Sequence, residues 1–269
     1  MKAQPSLYVP HGGGPCFFMD WPGDPHLWDN MANMLRSIPE RIPQPPKAIL
    51  LISAHWEAPV FTFAGGKQPE LEYDYYGFPP HTYELTYKAA GAPELALKAA
   101  GLLQDAGIDA AVDDTAPWDH GVFIPLKVAY PNEEVPVLAM SLKQGLDPAE
   151  HVAAGKALQS LRDDNVLIIG SGLSYHNLRA FFAPSQSDMQ ASKAFDDWLN
   201  DVAGQEESSR TESLSHWSTA PSARQVHPRE EHLLPMMIVA GAGGEEPGNA
   251  FYKDEVFGKA VSAIGFGLG

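Results

Sequence analysis

Five short stretches of the chain are apolar without alternation: residues 6–9, 47–54, 108–112, 135–140 and 165–170. A sheet with one face in water alternates apolar and polar residues. Brief, continuous runs rich in Val, Ile and Leu instead predict strands covered on both faces. The segments between them carry helical spacing. Residues 93–106 open with Pro93 and stop at Gly107, and residues 148–161 open with Pro148 behind Asp147 as N-cap. Residues 188–203 place Phe195, Trp198, Leu199 and Val202 on one stripe, and a fourth helix is expected over about 228–240. Residues 261–266 read as a last strand at a sheet edge. Strand and helix alternate, which predicts an α/β fold: a single domain over 1–269 with a central, mostly buried mixed sheet flanked by helices. The polar stretch 203–222 is the one candidate for a linker or mobile surface element, and it is too short to divide the chain.

Composition narrows the class of partner. The 18 Lys and Arg against 34 Asp and Glu give a formal charge of −16, which argues against nucleic acid or an anionic membrane as the main partner. No apolar run approaches the ~18 residues of a membrane span. The N-terminal residues lack a signal-peptide pattern, so a cytoplasmic location is the expectation. Cys16 stands alone, which excludes an intrachain disulfide and a cysteine-based zinc site. It reads either as a reactive thiol or as an inert buried one.

The placement of the ten histidines carries more information than their number. His11 follows the first strand and precedes Gly12-Gly13-Gly14; His55 follows the strongest strand; His176 lies just beyond the strand 165–170. In an open α/β sheet the C-terminal ends of the strands converge on one crevice where ligands bind, so the active site is expected there. One histidine after a strand is ordinarily a hydrogen-bonded structural residue. Three in the same placement point to a metal held by neutral imidazoles, with coordination positions left open for catalysis. His232 is the best candidate to complete the set, from the first turn of the helix near 228. Glu230 and Glu231 are rivals that would give a two-histidine, one-carboxylate site. His26, His81, His151 and His216 read as structural, with His81 in the aromatic loop also placed where it could face a substrate. The loop bearing Tyr73, Tyr75, Tyr76 and Phe78 either walls a pocket for a planar substrate or covers a core edge. The triple glycine lacks the Lys and Ser/Thr of a phosphate loop, and Gly170-Ser171-Gly172 is not a nucleophile elbow.

Six ordered segments extend this reading: Pro10 to Pro15, Ile52 to Trp56, Asp74 to Phe78, Asp119-His120-Gly121, Gly170 to Leu178, and Glu231 to Pro235. Together they resemble the class III extradiol ring-cleavage dioxygenases, in the branch typified by the 4,5-DOPA extradiol dioxygenases. The resemblance implies one divalent metal ion on His11, His55 and His232, Fe(II) for activity, with Zn(II) able to replace it on isolation. It implies His176 as acid/base, and His120 and His227 in the substrate pocket; of the aromatic loop, Tyr75 is the residue expected to bind substrate. The substrates would be a small aromatic diol and O2, the product a semialdehyde, and a homo-oligomer is left open. The wider class often has a glutamate as third ligand where this chain offers His232. The triple glycine and Cys16 stand where Gly-Ser-Pro is commoner. Two other readings compete: a zinc-dependent hydrolase working through metal-bound hydroxide, and a non-enzymatic binding protein of the Memo type.

Overall fold

A computed structural model describes residues 2–181 and 185–268. Eight strands form one mixed sheet: β1 (Ser6–Pro10), β2 (Ala48–Ala58), β3 (Phe61–Ala64), β4 (Ala110–Asp113), β5 (Val137–Lys143), β6 (Val166–Gly172), β7 (Gly248–Val256) and β8 (Lys259–Phe266), in the order β4-β3-β5-β2-β6-β1-β8-β7. The four central strands β5, β2, β6 and β1 run parallel, and β8 and β3 flank them antiparallel. β1 and β6 are buried at every residue, as is β5 up to Leu142 and the first seven residues of β2, as their unbroken apolar sequence predicts.

Adjacent residues of β6 show how both faces are covered. A Cβ on Gly170 would lie 2.6 Å from the Pro235 carbonyl, at the start of the helix Leu234–Gly243. The next residue, Ser171, turns to the opposite face and hydrogen-bonds Gly121 in the helix His120–Ala129. The helix Pro148–Leu158 packs on Leu234–Gly243, and Asp29–Arg36 on His120–Ala129. Asp147 caps Pro148–Leu158 by accepting from the Ala149 and Glu150 amides, at 2.8 and 3.1 Å.

Several expectations need correction. The stretch 203–222 is not a linker: it forms the helix Glu207–Ser215 and the turn Trp217–Thr219, tied down by buried Arg210, Leu214 and Trp217. The Arg210 guanidinium donates to the carbonyls of Gln205, Gly244 and Glu246, so a polar sequence hides a buried anchor. The expected edge strand is β8, and β7 covers it on the outer side. The expected strand near 108–112 is β4, only half-buried because it is an edge. The helix expected from about 228 begins at Leu234, which leaves His232 in the turn before it.

Candidate metal centre

The strand ends meet as the crevice argument requires. His11 continues β1, its amide donating to the Gly172 carbonyl of β6 at 3.2 Å. His55 lies inside β2 rather than after it. The register between β2 and β5 shifts between Ile52 and Glu57, so a bulge at this point turns His55 out of the ladder. His232 reaches the same place because Gly172 has no side chain: a Cβ there would lie 2.2 Å from the His232 carbonyl. That carbonyl accepts from the Tyr8 hydroxyl at 2.7 Å and the Leu173 amide at 3.2 Å, which fixes the turn against β1 and β6.

Five histidines line one cavity of about 360 Å³: His11, His55, His120, His176 and His232. The rings of His11, His55 and His232 form a nearly even triangle, with centres 4.9, 5.2 and 4.8 Å apart. A ring nitrogen ~2.1 Å from an ion puts the ring centre ~3.2 Å from it, so two ligand rings at ordinary angles sit ~4.5–5.2 Å apart. His120 departs from that spacing, at 4.0 Å from His55 and 5.5 Å from His11. His176 departs further, stacked on His232 with ring centres 3.4 Å apart. By ligand-atom spacing alone, His11, His55 and His120 form one compact trio, and His176, Glu231 and His232 another.

Hydrogen bonding selects the free nitrogens. Ser171 donates its hydroxyl to the Gly121 carbonyl, so its Oγ accepts from His11 Nδ1 at 3.1 Å. His232 Nδ1 and His176 Nδ1 both face Glu231 Oε1, at 3.1 and 3.0 Å. His120 Nδ1 meets Asp74 Oδ1 at 2.7 Å, and His55 Nδ1 lies 3.7 Å from the other Asp74 oxygen. In each neutral ring the proton belongs on Nδ1 and the lone pair on Nε2. The Nε2 atoms of His11 and His55 are 3.2 Å apart. Two lone pairs at that separation repel, and one cation between them removes the repulsion. The donor set therefore fits a divalent metal, with the rings of His11, His120, His176 and His232 oriented by an acceptor behind Nδ1 and that of His55 facing the Asp74 carboxylate at 3.7 Å.

Electrostatics agree. Burial, then the neighbouring histidines, hold His11 and His232 well below the usual imidazole range, and burial with His120 pulls His55 down to about 3. Neutral rings at pH 7 are what a metal needs. Burial pushes Asp74 and Glu231 up, but hydrogen bonds, from His120 and from His176 respectively, outweigh it and leave both carboxylates below their ordinary values. Burial raises the Cys16 thiol, which its environment keeps protonated and inert.

Tyr75 lines the cavity, its hydroxyl donating to the Thr82 carbonyl at 2.6 Å and its ring edge-on to His120. His227 does not reach the cavity. Its ring is fully buried, Phe195 and Trp217 pack edge-on against it, and its Nε2 lies 3.0 Å from the Ser174 carbonyl. Sequence reasoning missed Asp74, Ser171 and the apolar wall of Trp21, Trp28, Phe181 and Phe257. It weighed Glu231 only as a ligand. The signal for Asp74 was its place in the aromatic loop, beside residues that were noticed.

An α/β sheet with a cluster of neutral histidines where its strands converge defines a candidate metal-site α/β protein. Residues 5–269 match the family described as the catalytic LigB subunit of aromatic ring-opening dioxygenase, and the chain belongs to that family. It is 37% identical to Dioxygenase tasH of Hapsidospora irregularis over 96% of this chain and 84% of that protein. It is also 37% identical to the 4,5-DOPA dioxygenase extradiol of Beta vulgaris over 74% of each. A crystal structure of an uncharacterized Escherichia coli K12 protein superposes with a TM-score of 0.78 over 98% of this chain and 99% of that one; at 24% identity it speaks for the fold alone. No helix among the described residues is long and apolar enough to cross a membrane.

Proposed function

We propose that this chain is an extradiol dioxygenase that opens the ring of a catechol-type substrate with O2 and releases a semialdehyde. His11, His55 and His232 hold one divalent metal, Fe(II) for activity. The observation that carries this is the even triangle of three rings whose Nε2 atoms are free because every Nδ1 faces a hydrogen-bond acceptor or a carboxylate. Fe(II) supplies a redox-active Lewis acid at which diol and dioxygen can react. The chain's own groups do the rest. His176 Nε2 takes a phenolic proton and later returns it, while Glu231 Oε1 on its Nδ1 steadies the imidazolium. His120, fixed by Asp74, and the Tyr75 ring bound the space where the aromatic ring lies. The apolar wall excludes water from it. The relatives named for 4,5-DOPA are consistent with a catechol substrate.

The test is anaerobic loading with Fe(II), then oxygen uptake and visible absorbance over a catechol panel that includes DOPA and protocatechuate. Stoichiometric uptake that requires Fe(II) and His55 is expected. No uptake with any catechol at full iron occupancy refutes the proposal.

A further inference from the structure

The cavity that holds the histidines has a second property. Apart from the five histidines and the Tyr75, Tyr76 and tryptophan rings, its wall is glycine, leucine and phenylalanine, and among the described residues no Lys, Arg, Ser, Thr, Asn or Gln lines it. The undescribed residues after Phe181 are Phe182, Ala183 and Pro184, and none carries a charge. Of the cations near the cavity in the fold, Arg179 follows Leu178 and lines the neighbouring hollow, outside this wall, and two others are held by partners. Arg229 is paired with both oxygens of Glu57, at 2.6 and 2.8 Å. Lys259 is fully buried, with its Nζ on the carbonyls of Ala180 and Phe257 at 3.2 and 3.3 Å. The carboxylates of Asp74 and Glu231 stand behind the rings and would repel a second anion. Two of the four exposed large hydrophobic side chains among the described residues, Tyr76 and Leu178, stand at the cavity mouth.

We infer that the substrate is an uncharged catechol bearing an apolar alkyl or aryl substituent, which lies along the Trp21–Phe257 wall and emerges between Tyr76 and Leu178. This rests on the ring-opening reading above. A carboxylate buried against this wall would lose its water and meet no cation there, whereas a hydrocarbon gains contact with both wall and rim. A site built to anchor a carboxylate would show a forked or point cation in the wall, and among the described residues none lines it.

Two measurements test it. The first is anaerobic equilibrium binding, read by quenching of Trp21 and Trp28 fluorescence, for 4-tert-butylcatechol, 4-phenylcatechol, DOPA and protocatechuate. The second is kcat/KM by oxygen uptake for the same four compounds with the iron-loaded enzyme. The apolar pair is expected to bind and react better by about a hundredfold, the order of discrimination an unpaired buried charge produces. Leu178→Arg, at a side chain 58% exposed and so tolerant of change, is expected to narrow that ratio at least about tenfold by giving the carboxylate a partner. DOPA or protocatechuate matching or exceeding the apolar catechols in both measurements overturns the inference and leaves ring opening intact. Cleavage of none of the four overturns the ring-opening reading itself.

Discussion

Glu231 is the residue whose removal most sharply tests how the site is held. One of its oxygens, Oε1, accepts from Nδ1 of both His232 and His176, so a single carboxylate sets the ring of a proposed ligand and of the proposed acid/base. A hydrogen bond to a charged acceptor contributes about 1.5–3 kcal/mol, and loss of such an orienting partner typically weakens metal binding 10- to 100-fold. Glu231→Ala removes both bonds at once. Metal affinity, measured by chelator competition with Zn(II) or Co(II), is expected to fall by about that factor. Turnover at saturating Fe(II) is expected to stay depressed, because metal restores His232 but not the orientation of His176. Glu231→Gln keeps an oxygen that can accept both bonds, and it is expected to recover most of the affinity. Wild-type affinity and turnover in Glu231→Ala would show that the rings are fixed by packing alone and would refute the argument.

The remaining predictions bear on separate links of the chain of reasoning. His176→Ala is expected to bind metal normally in a chelator titration and to lose ring opening; normal turnover removes His176 from the chemistry. Gly172→Ala forces a Cβ to within 2.2 Å of the His232 carbonyl and 3.1 Å of the Tyr8 ring, so a loss of about 1–3 kcal/mol in urea unfolding and weakened metal binding are expected; an unchanged protein would mean that the turn at His232 can yield. His151 sits between the Asp147 carbonyl, which accepts from its Nδ1, and the Lys143 amide, which donates to its Nε2, and burial pulls its pKa down to about 4. The unfolded chain takes up that proton below pH ~6.5 and the folded chain only near 4, so about 3 kcal/mol of stability is present above pH 6.5 and is lost as pH falls between the two. His151→Gln should therefore show a shallower fall in stability than the wild type across that range, and parallel curves would sink the assignment.

The parts of the fold legible in the sequence are those whose burial is complete. β2, β5 and β6 announce themselves because a strand covered on both faces needs no polar residue, and Asp147 and Pro148 mark a helix start whatever surrounds them. The illegible parts are those where burial is partial or bought by one residue. β7 is half-exposed along its length, so its sequence carries no unbroken run. The helix His120–Ala129 is buried on nearly every side and contains Pro125, which leaves neither a stripe nor a proline-free run to read. Arg210 anchors a segment that looks solvated, because three backbone carbonyls provide what a charged side chain usually seeks in water.

The site divides along the same physical line. His11, His55 and His176 were visible because each follows an apolar strand run in the sequence, although only His11 continues its strand directly: a bulge inside β2 turns His55 out, and His176 lies four residues past the end of β6. His232 comes instead from a turn, and its aim depends on the missing Cβ of Gly172 and on two hydrogen bonds to its own carbonyl. None of that is written near residue 232. His227, five residues away, ends up facing Phe195, Trp217 and the Ser174 carbonyl, because the chain turns between the two histidines. Asp74, Ser171 and Glu231 were overlooked as orienting groups for a related reason. A carboxylate or hydroxyl that holds a histidine has no spacing of its own, and its role exists only once the fold has brought the two together. The sheet thus gives the histidines their address, and contacts between distant segments give them their tautomers. Reading a metal site from sequence therefore recovers candidate ligands more readily than the groups that make them ligands.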